Sequence, residues 1–227
     1  MRHEKRDLVV ETFPVGSLSC NCSIVYSVKT LEAIIIDPGN DCKKVLEQVN
    51  KHKLTVKLLI HTHAHFDHIG QSDELRSLLG CRIYLHRDDL FLYEMLPQQG
   101  IFFGETIRAP QPVDHFFSEE EYFSIRTQED HLQEPQLLEF LKTLHTPGHT
   151  PGSCSFYSDY FDPPLLFSGD TLFSGSIGRT DLPGGDSLEI IKSIKKKIFL
   201  LPEETVCIPG HGPKTWVYQE KNTNPFL

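Results

Sequence analysis

A run of eight residues, His61–His68, contains four histidines and one aspartate and directly follows the apolar segment Val56–Ile60. The apolar segment is typical of a buried strand, so the run begins where a strand gives way to a loop. Histidines two residues apart in an extended chain point to the same side. Imidazole and carboxylate are ligands that zinc, iron and manganese favour, and packing them so closely has no use in an apolar core. The run therefore predicts a metal-binding loop at the end of a strand.

Three further polar residues follow predicted strands later in the chain. His149 lies in the sequence TPGHTPG, Asp170 ends LLFSGD, and His211 lies in CIPGHG. Glycine or proline surrounds each of them, which lets the backbone turn sharply at the end of a strand. Because ligands of α/β proteins bind at that edge of a sheet, we expect these side chains to join the histidine run.

Strand-like and helix-like segments alternate along both halves of the chain. Strands are predicted at Leu8–Phe13, Ser23–Val28, Ala33–Asp37, Val56–Ile60, Arg82–Leu85, Leu137–Leu144, Ser153–Tyr157, Leu165–Ser168 and Val206–Ile208. Helices are predicted at Asn40–His52, from Asp67 or His68 to Gly80, and at Leu188–Phe199. The two halves share one outline, which predicts an α/β fold: a four-layer αβ/βα sandwich of two mixed sheets. The length of 227 residues fits a single domain over 1–227.

The segment 90–135 is the least regular part of the sequence, because prolines and glycines interrupt it repeatedly. A connection this long inside a compact domain is usually either functional or disordered. Its many aromatic residues favour a packed structure over a disordered one. We therefore expect an insertion here that forms a lid or a wall of the substrate site.

Composition excludes several classes of partner. The chain has 22 basic and 31 acidic residues, a net charge of −9, which argues against nucleic acid as a partner. No apolar run is long enough to span a membrane, and the N-terminal sequence lacks the apolar core of a secretory signal. The six cysteines form no C-x-x-C pair, which is typical of reduced thiols. We therefore expect a cytoplasmic protein that acts on a small molecule, with its oligomeric state left open.

The sequence resembles the metallo-β-lactamase superfamily across essentially its whole length. The resemblance rests on the H-x-H-x-D-H run at 63–68, the later His149, the S-G-D at 168–170, the G-H-G at 210–212, and Asp37 after a predicted strand. The G-R-T-D run at 178–181 and the C-terminal N-P-F-L resemble the short, glyoxalase II-like hydrolases within that superfamily.

This resemblance implies a binuclear metal site, with zinc expected and iron or manganese as alternatives. One ion would be held by His63, His65 and His149, the second by Asp67, His68 and His211, and Asp170 would bridge the two. Such a pair can share a hydroxide and polarise a carbonyl, so Asp67 and Asp170 are also the predicted catalytic residues. Asp37 is predicted to fix the metal loop by hydrogen bonds, and Arg179 with Asp181 to form an internal salt bridge that braces a neighbouring loop.

The resemblance implies hydrolysis of a thioester such as S-lactoylglutathione. Longer glyoxalase II enzymes carry a helical C-terminal domain that grips glutathione, whereas this sequence ends 16 residues after His211, so the acyl group and the thiol stay open. A mononuclear-iron persulfide dioxygenase is the alternative, with His63, His149 and Asp170 as the facial triad. A metal-binding protein without catalytic activity is the third hypothesis.

Overall fold

The computed structural model of the protein describes residues 1–128 and 134–227, and its strands form two large sheets and a small ribbon. Seven strands lie side by side in chain order in the first sheet: β1 (Arg2–Lys5), β2 (Leu8–Val15), β3 (Cys20–Ser27), β4 (Glu32–Ile36), β5 (Thr55–Ile60), β6 (Arg82–His86) and β7 (His115–Phe117). The remaining strands are β8 (Tyr122–Thr127), β9 (Gln136–His145), β10 (Cys154–Ser158), β11 (Leu165–Gly169), β12 (Leu172–Phe173), β13 (Ser176–Ile177), β14 (Val206–Pro209) and β15 (Thr215–Trp216). The second sheet has the order β15-β14-β11-β10-β9-β8, and β12 pairs with β13 in the ribbon.

Helices cover the outer faces of both sheets. The α-helices in the described ranges are α1 (Cys42–His52), α2 (Phe66–Ile69), α3 (Ser72–Leu79), α4 (Leu90–Glu94), α5 (Leu96–Phe102), α6 (Ser187–Lys196) and α7 (Val217–Thr223). None of these helices is long and apolar enough to cross a membrane.

Both sheets are mixed, as predicted. Strands β1 to β4 pair antiparallel, and β4 to β7 pair parallel. In the second sheet β11 and β14 are parallel, and the other neighbours are antiparallel. The parallel strands β4, β5 and β6 direct their carboxyl ends to the same edge of the first sheet, which is where the histidine run emerges.

Alternation of side chains along the strands produces the layers. Leu8 and Val10 of β2 pack into the core between the sheets, while Val9 between them packs toward α1. On the far side, Ile190 and Ile194 of α6 pack on the outer face of the second sheet. The predicted four-layer sandwich is therefore confirmed.

The helix predicted to run from the histidine loop to Gly80 is divided into α2 and α3. Gln71 lies at the division: its backbone N–H donates to Gly39 O at 3.0 Å, and its side-chain oxygen accepts from Cys42 N at 2.7 Å. Because Gln71 bonds to residues at the start of α1, the helix is interrupted between Ile69 and Ser72. The consequence is a short helix that carries Asp67 and His68 as a unit separate from α3.

The segment 90–135 is more regular than its prolines and glycines suggest. It contains α4 and α5, and its strands β7 and β8 form edges of the two sheets, so this part is sheet rather than inserted loop. Aromatic residues of these short strands, Phe117 and Phe123, are buried between the sheets. Residues 129–133 of the segment lie outside the described part of the chain. The role of α4 and α5 as a wall stays a prediction.

Phe156 on β10 is completely buried where the two sheets meet, with its ring 5.8 Å from that of Phe117 and 5.7 Å from that of Phe123. We expect Phe156→Ala to lower the free energy of unfolding by about 3–5 kcal/mol, because the cavity cannot fully collapse. Urea denaturation of the metal-free protein measures this change. Leu137→Ala on neighbouring β9, where the side chain is exposed, should change it by less than about 0.5 kcal/mol. Equal effects in the two variants would contradict this view of the core.

Candidate metal centre

Seven side chains from four separate chain segments converge at one edge of the sandwich. His63 and His65 lie in the loop after β5, and α2 contributes two more of the seven. The second half of the chain supplies the other three, from the loop between β9 and β10, from the residue after β11, and from the loop after β14. All seven predicted ligands are thus brought together: His63, His65, Asp67, His68, His149, Asp170 and His211.

The first group of potential ligand atoms belongs to His63, His65 and His149, and these atoms lie within 4.8 Å of one another. Nδ1 of His65 is 2.9 Å from Nε2 of His149. The rings are nearly perpendicular to one another, and one nitrogen of each ring lies in the same small space. Three converging imidazole nitrogens are the arrangement that a zinc or iron ion requires.

The second group belongs to Asp67, His68 and His211, again within 4.8 Å. Nε2 of His211 lies 3.0 Å from Oδ2 of Asp67 and 3.2 Å from Nε2 of His68. Asp170 lies between the two groups: its Oδ1 is 3.4 Å from Nε2 of His68, and its Oδ2 is 3.6 Å from Nε2 of His149. One carboxylate therefore faces both groups.

Buried atoms without partners indicate that a cation fits this centre. Nε2 of His63 and Oδ1 of Asp170 are buried and accept no hydrogen bond, which is costly for a polar atom away from water. Burial lowers the pKa of His63 well below its usual range and that of His65 to about 3, which favours the neutral, ligating form. The pKa of Asp170 is lowered although burial alone would raise it, because His68 and neighbouring histidines surround it. The pKa of His68, by contrast, is raised well above its usual range although burial alone would lower it, because the acidic groups of Cys20, Asp170 and Asp67 surround it. A divalent metal would bind the neutral imidazoles directly and would replace the positive charge that His68 otherwise holds among the carboxylates.

Hydrogen bonds on the outer side of the rings direct the inner nitrogens toward the centre. Nδ1 of His149 donates to the carbonyl of Arg179 at 2.7 Å, and Nδ1 of His211 donates to the carbonyl of Leu18 at 3.0 Å. A proton fixed on Nδ1 leaves the lone pair of Nε2 free. These backbone contacts therefore set both the tautomer and the ring orientation.

Asp37 gives the histidine loop the hydrogen bonds that the sequence predicts. Its Oδ1 accepts from Thr62 N at 2.8 Å, and its Oδ2 accepts from Thr62 Oγ1 at 2.6 Å and from Nδ1 of His68 at 3.0 Å. Since Thr62 Oγ1 donates to Asp37, it is left to accept from Nδ1 of His63 at 3.0 Å. One buried carboxylate thus orients two predicted ligands.

Arg179 and Asp181 pair with each other through two 2.7 Å hydrogen bonds, as predicted. Both side chains are more than half exposed, however, so the pair is not internal and braces the loop only weakly. The tighter constraint in this run is Gly178, where an added Cβ would lie 1.8 Å from the carbonyl oxygen of Asp170. The loop approaches the metal centre by its backbone, and only glycine permits that approach.

Asp89 is a functional candidate that the sequence analysis missed. It is completely buried, and its carboxylate accepts from Ala64 N at 2.9 Å, Thr150 Oγ1 at 2.8 Å and Gly152 N at 2.6 Å. These partners belong to the histidine loop and to the loop of His149, so Asp89 joins the two. The one signal in the sequence is its position just after strand β6, the same placement that marks the predicted ligands.

A cavity of about 370 Å³ opens onto the centre. Predicted ligands form its floor, and its walls are formed by Leu18, Phe66, Gln99, Phe103, Arg179 and Leu182. The metal centre is therefore accessible to a small molecule.

Comparison with known proteins gives consistent matches over nearly the whole chain. A sequence model described as the metallo-beta-lactamase superfamily matches residues 15–211. The hydroxyacylglutathione hydrolase GloC of Haemophilus influenzae is 36% identical over 224 residues, covering 96% of this chain and 97% of that protein. The crystal structure of the B3 metallo-β-lactamase BLEG-1 is 37% identical, with a TM-score of 0.82 and coverage of 96% and 99%. TTHA1623, crystallised in a di-iron-bound form, is 35% identical, with a TM-score of 0.82 and coverage of 96% and 100%.

The contacts of Asp89 predict an effect on metal affinity without direct ligation. In Asp89→Asn one oxygen becomes an NH₂ group that faces an N–H or O–H donor, so the two loops should separate slightly. We expect Zn²⁺ affinity to fall by about 10- to 100-fold, the range typical of groups that orient ligands. Competition with a chromophoric chelator measures the affinity, and circular dichroism confirms that the variant is folded. Asp159→Asn, at an exposed position between β10 and β11, should bind Zn²⁺ like the wild type, and an equal loss there would refute this role.

Proposed function

Because the chain belongs to the metallo-β-lactamase superfamily, whose members are mostly hydrolytic enzymes, we propose that it is a binuclear metallo-hydrolase that cleaves thioesters. The observation that carries this proposal is the convergence of two potential ligand groups on the carboxylate of Asp170 at the floor of an open cavity. Zinc is the metal we propose. Iron is the alternative, supported by the di-iron form of TTHA1623.

In this proposal His63, His65 and His149 hold one ion, Asp67, His68 and His211 hold the other, and Asp170 contacts both. A pair of divalent ions supplies Lewis acidity, which polarises a carbonyl and makes water nucleophilic near neutral pH. The chain contributes the geometry. Asp37 and the carbonyls of Arg179 and Leu18 hold protons on the outer Nδ1 atoms, so the inner nitrogens stay available as ligands.

The residues around the cavity favour a thioester over an amide. An amine leaves only after it is protonated, whereas a thiol with a pKa near 8.5 leaves readily as the thiolate. Apart from the predicted ligands, Arg179 is the only ionisable residue among the described residues that line the cavity, and a guanidinium stays protonated. No further proton donor is therefore needed or offered for the leaving group. The 36% identity to the hydroxyacylglutathione hydrolase GloC agrees with this substrate class, but the 37% identity to the B3 metallo-β-lactamase BLEG-1 is as high, so the proposal rests on the leaving group and not on identity.

The two other hypotheses fit less well. A persulfide dioxygenase needs one iron on His63, His149 and Asp170, which would leave Asp67 and His211 converging for no purpose. A protein that only stores metal needs no cavity leading to its ligands, whereas this centre forms the floor of one.

Metal content distinguishes these hypotheses. We expect two ions per chain in protein loaded with Zn²⁺ or Fe²⁺ and then desalted, measured by mass spectrometry of the metals. His211→Ala should retain about one ion, because the group that contains His65 stays intact. A single iron in the wild type, together with oxygen uptake on glutathione persulfide, would instead establish the dioxygenase.

Hydrolysis of S-lactoylglutathione or of a simpler thioester tests the activity directly, with release of thiol followed by a colorimetric reagent. His63→Ala and Asp170→Ala should lower kcat/KM by about 100-fold or more, since each removes a proposed ligand. Chelation should abolish turnover in the wild type, and added metal should restore it. His115→Ala, an exposed histidine paired with Glu121 away from the centre, should keep wild-type activity. Turnover that is the same in the wild type and in both ligand variants would defeat the proposal.

A further inference from the structure

A second cavity, of about 280 Å³, adjoins the one above the metal centre. The two share His65, Gln99, Phe103 and Leu182 as lining residues, so they lie side by side. The walls that belong to the second cavity alone are Leu92, Met95, Gln98, Phe102 and Pro183. A predominantly apolar pocket therefore leads directly away from the reacting centre.

The apolar side chains of this pocket are exposed in spite of their size. Phe102 is 79% exposed, and Phe103 and Met95 are 43% and 41% exposed. A contiguous group of large apolar side chains on a surface marks a binding site more often than chance exposure. Here the group borders an open metal centre, which identifies a substrate as the occupant.

Gln99 fixes this apolar wall relative to the metal loop. Its side-chain oxygen accepts from Phe66 N at 3.0 Å, and its side-chain nitrogen donates to Ala64 O at 3.1 Å. The ring of Phe66 stacks on that of Phe103, with centroids 4.7 Å apart. Helix α5 is thus held against the loop that carries His63 and His65.

The charges around the two cavities do not suit an anionic substrate tail. Apart from the predicted metal ligands, Arg179 is the only cationic side chain among the described residues that line the two cavities, and its guanidinium is already paired with Asp181 through two hydrogen bonds. A carboxylate placed in the second cavity would lose its hydration without gaining a cation. An uncharged hydrocarbon chain would lose nothing there and would cover the exposed rings.

From these contacts we infer that the pocket beside α5 binds an unbranched apolar chain of the thioester substrate, an inference that rests on the proposed hydrolase activity. The chain is attached to the acyl carbon or to the sulfur of the same thioester group. Its first atoms pass Phe103 and Leu182, and its end lies against Phe102. Phe102 is accordingly a specificity-determining residue.

Two series of thioesters test this inference. One keeps N-acetylcysteamine as the thiol and lengthens the acyl chain from acetyl to octanoyl. The other keeps the acetyl group and lengthens an S-alkyl chain over the same range. In one series kcat/KM should rise about fourfold for each methylene that is covered, about 60-fold for three methylenes. The series that shows the rise identifies the side of the thioester that enters the pocket.

Variants and a binding measurement complete the test. Phe102→Ser should lower the ratio of kcat/KM between the longest and shortest substrates by about tenfold, whereas Leu200→Ser, a side chain equally exposed elsewhere, should keep the wild-type ratio. Calorimetry with an uncleavable thioether that carries the favoured chain should show about tenfold weaker binding to Phe102→Ser than to the wild type. Leu200→Ser should bind the thioether like the wild type.

The possible failures are distinguishable. Turnover of short thioesters with no dependence on chain length in either series would overturn this inference and leave the proposed function intact. Equal effects of Phe102→Ser and Leu200→Ser would overturn it as well. Turnover of no thioester would overturn the proposed function, and this inference with it.

Discussion

Two imidazole nitrogens 2.9 Å apart repel each other unless a proton or a cation lies between their lone pairs. The centre contains two close contacts of this kind, at 2.9 Å between buried His65 and His149 and at 3.2 Å between His68 and partly buried His211. Hydrogen bonds from outside the centre hold the rings in this arrangement. These constraints are the hydrogen bonds that Asp37, Asp89 and backbone carbonyls make to the ligands and their loops.

The constraints act across the two sheets, because each half of the chain supplies part of the centre. The loop after β5 and helix α2 together carry four of the seven side chains. The second half of the chain carries the remaining three. Hydrogen bonds join the two halves nearby: Cys154 N donates to Thr62 O at 2.7 Å, and Asn21 Nδ2 donates to the carbonyls of Pro209 and Gly212, each at 2.9 Å. Asp89 adds the link between the histidine loop and the loop of His149.

The sequence predicts the ligands better than it predicts what holds them. His63 and His65 are recognised from local spacing, and Asp170 and His211 from their position after apolar strands next to glycine. Asp89 also follows a strand, but no adjacent glycine or histidine marks its role, because its partners Ala64 and Gly152 lie 25 and 63 residues away in the chain. The division between α2 and α3 is missed for a similar reason, since the bonds of Gln71 run to the start of α1. Local preference favours one helix there, and long-range hydrogen bonds override it.

The layers of the fold can be predicted from the sequence because alternation of side chains along a strand is a local property. The apolar wall beside the metal centre can be predicted only in part. The aromatic residues of 90–135 indicated packing, but the sequence does not distinguish Phe117 and Phe123, which enter the core, from Phe102, which stays exposed. The difference depends on whether the residue lies on a sheet edge facing the other sheet or on a short helix held beside the metal loop. Gln99 makes the second placement possible by bonding to two backbone groups of that loop. Gln99, which the sequence analysis leaves within the irregular segment 90–135 without a role of its own, thus positions the surface next to the metal centre.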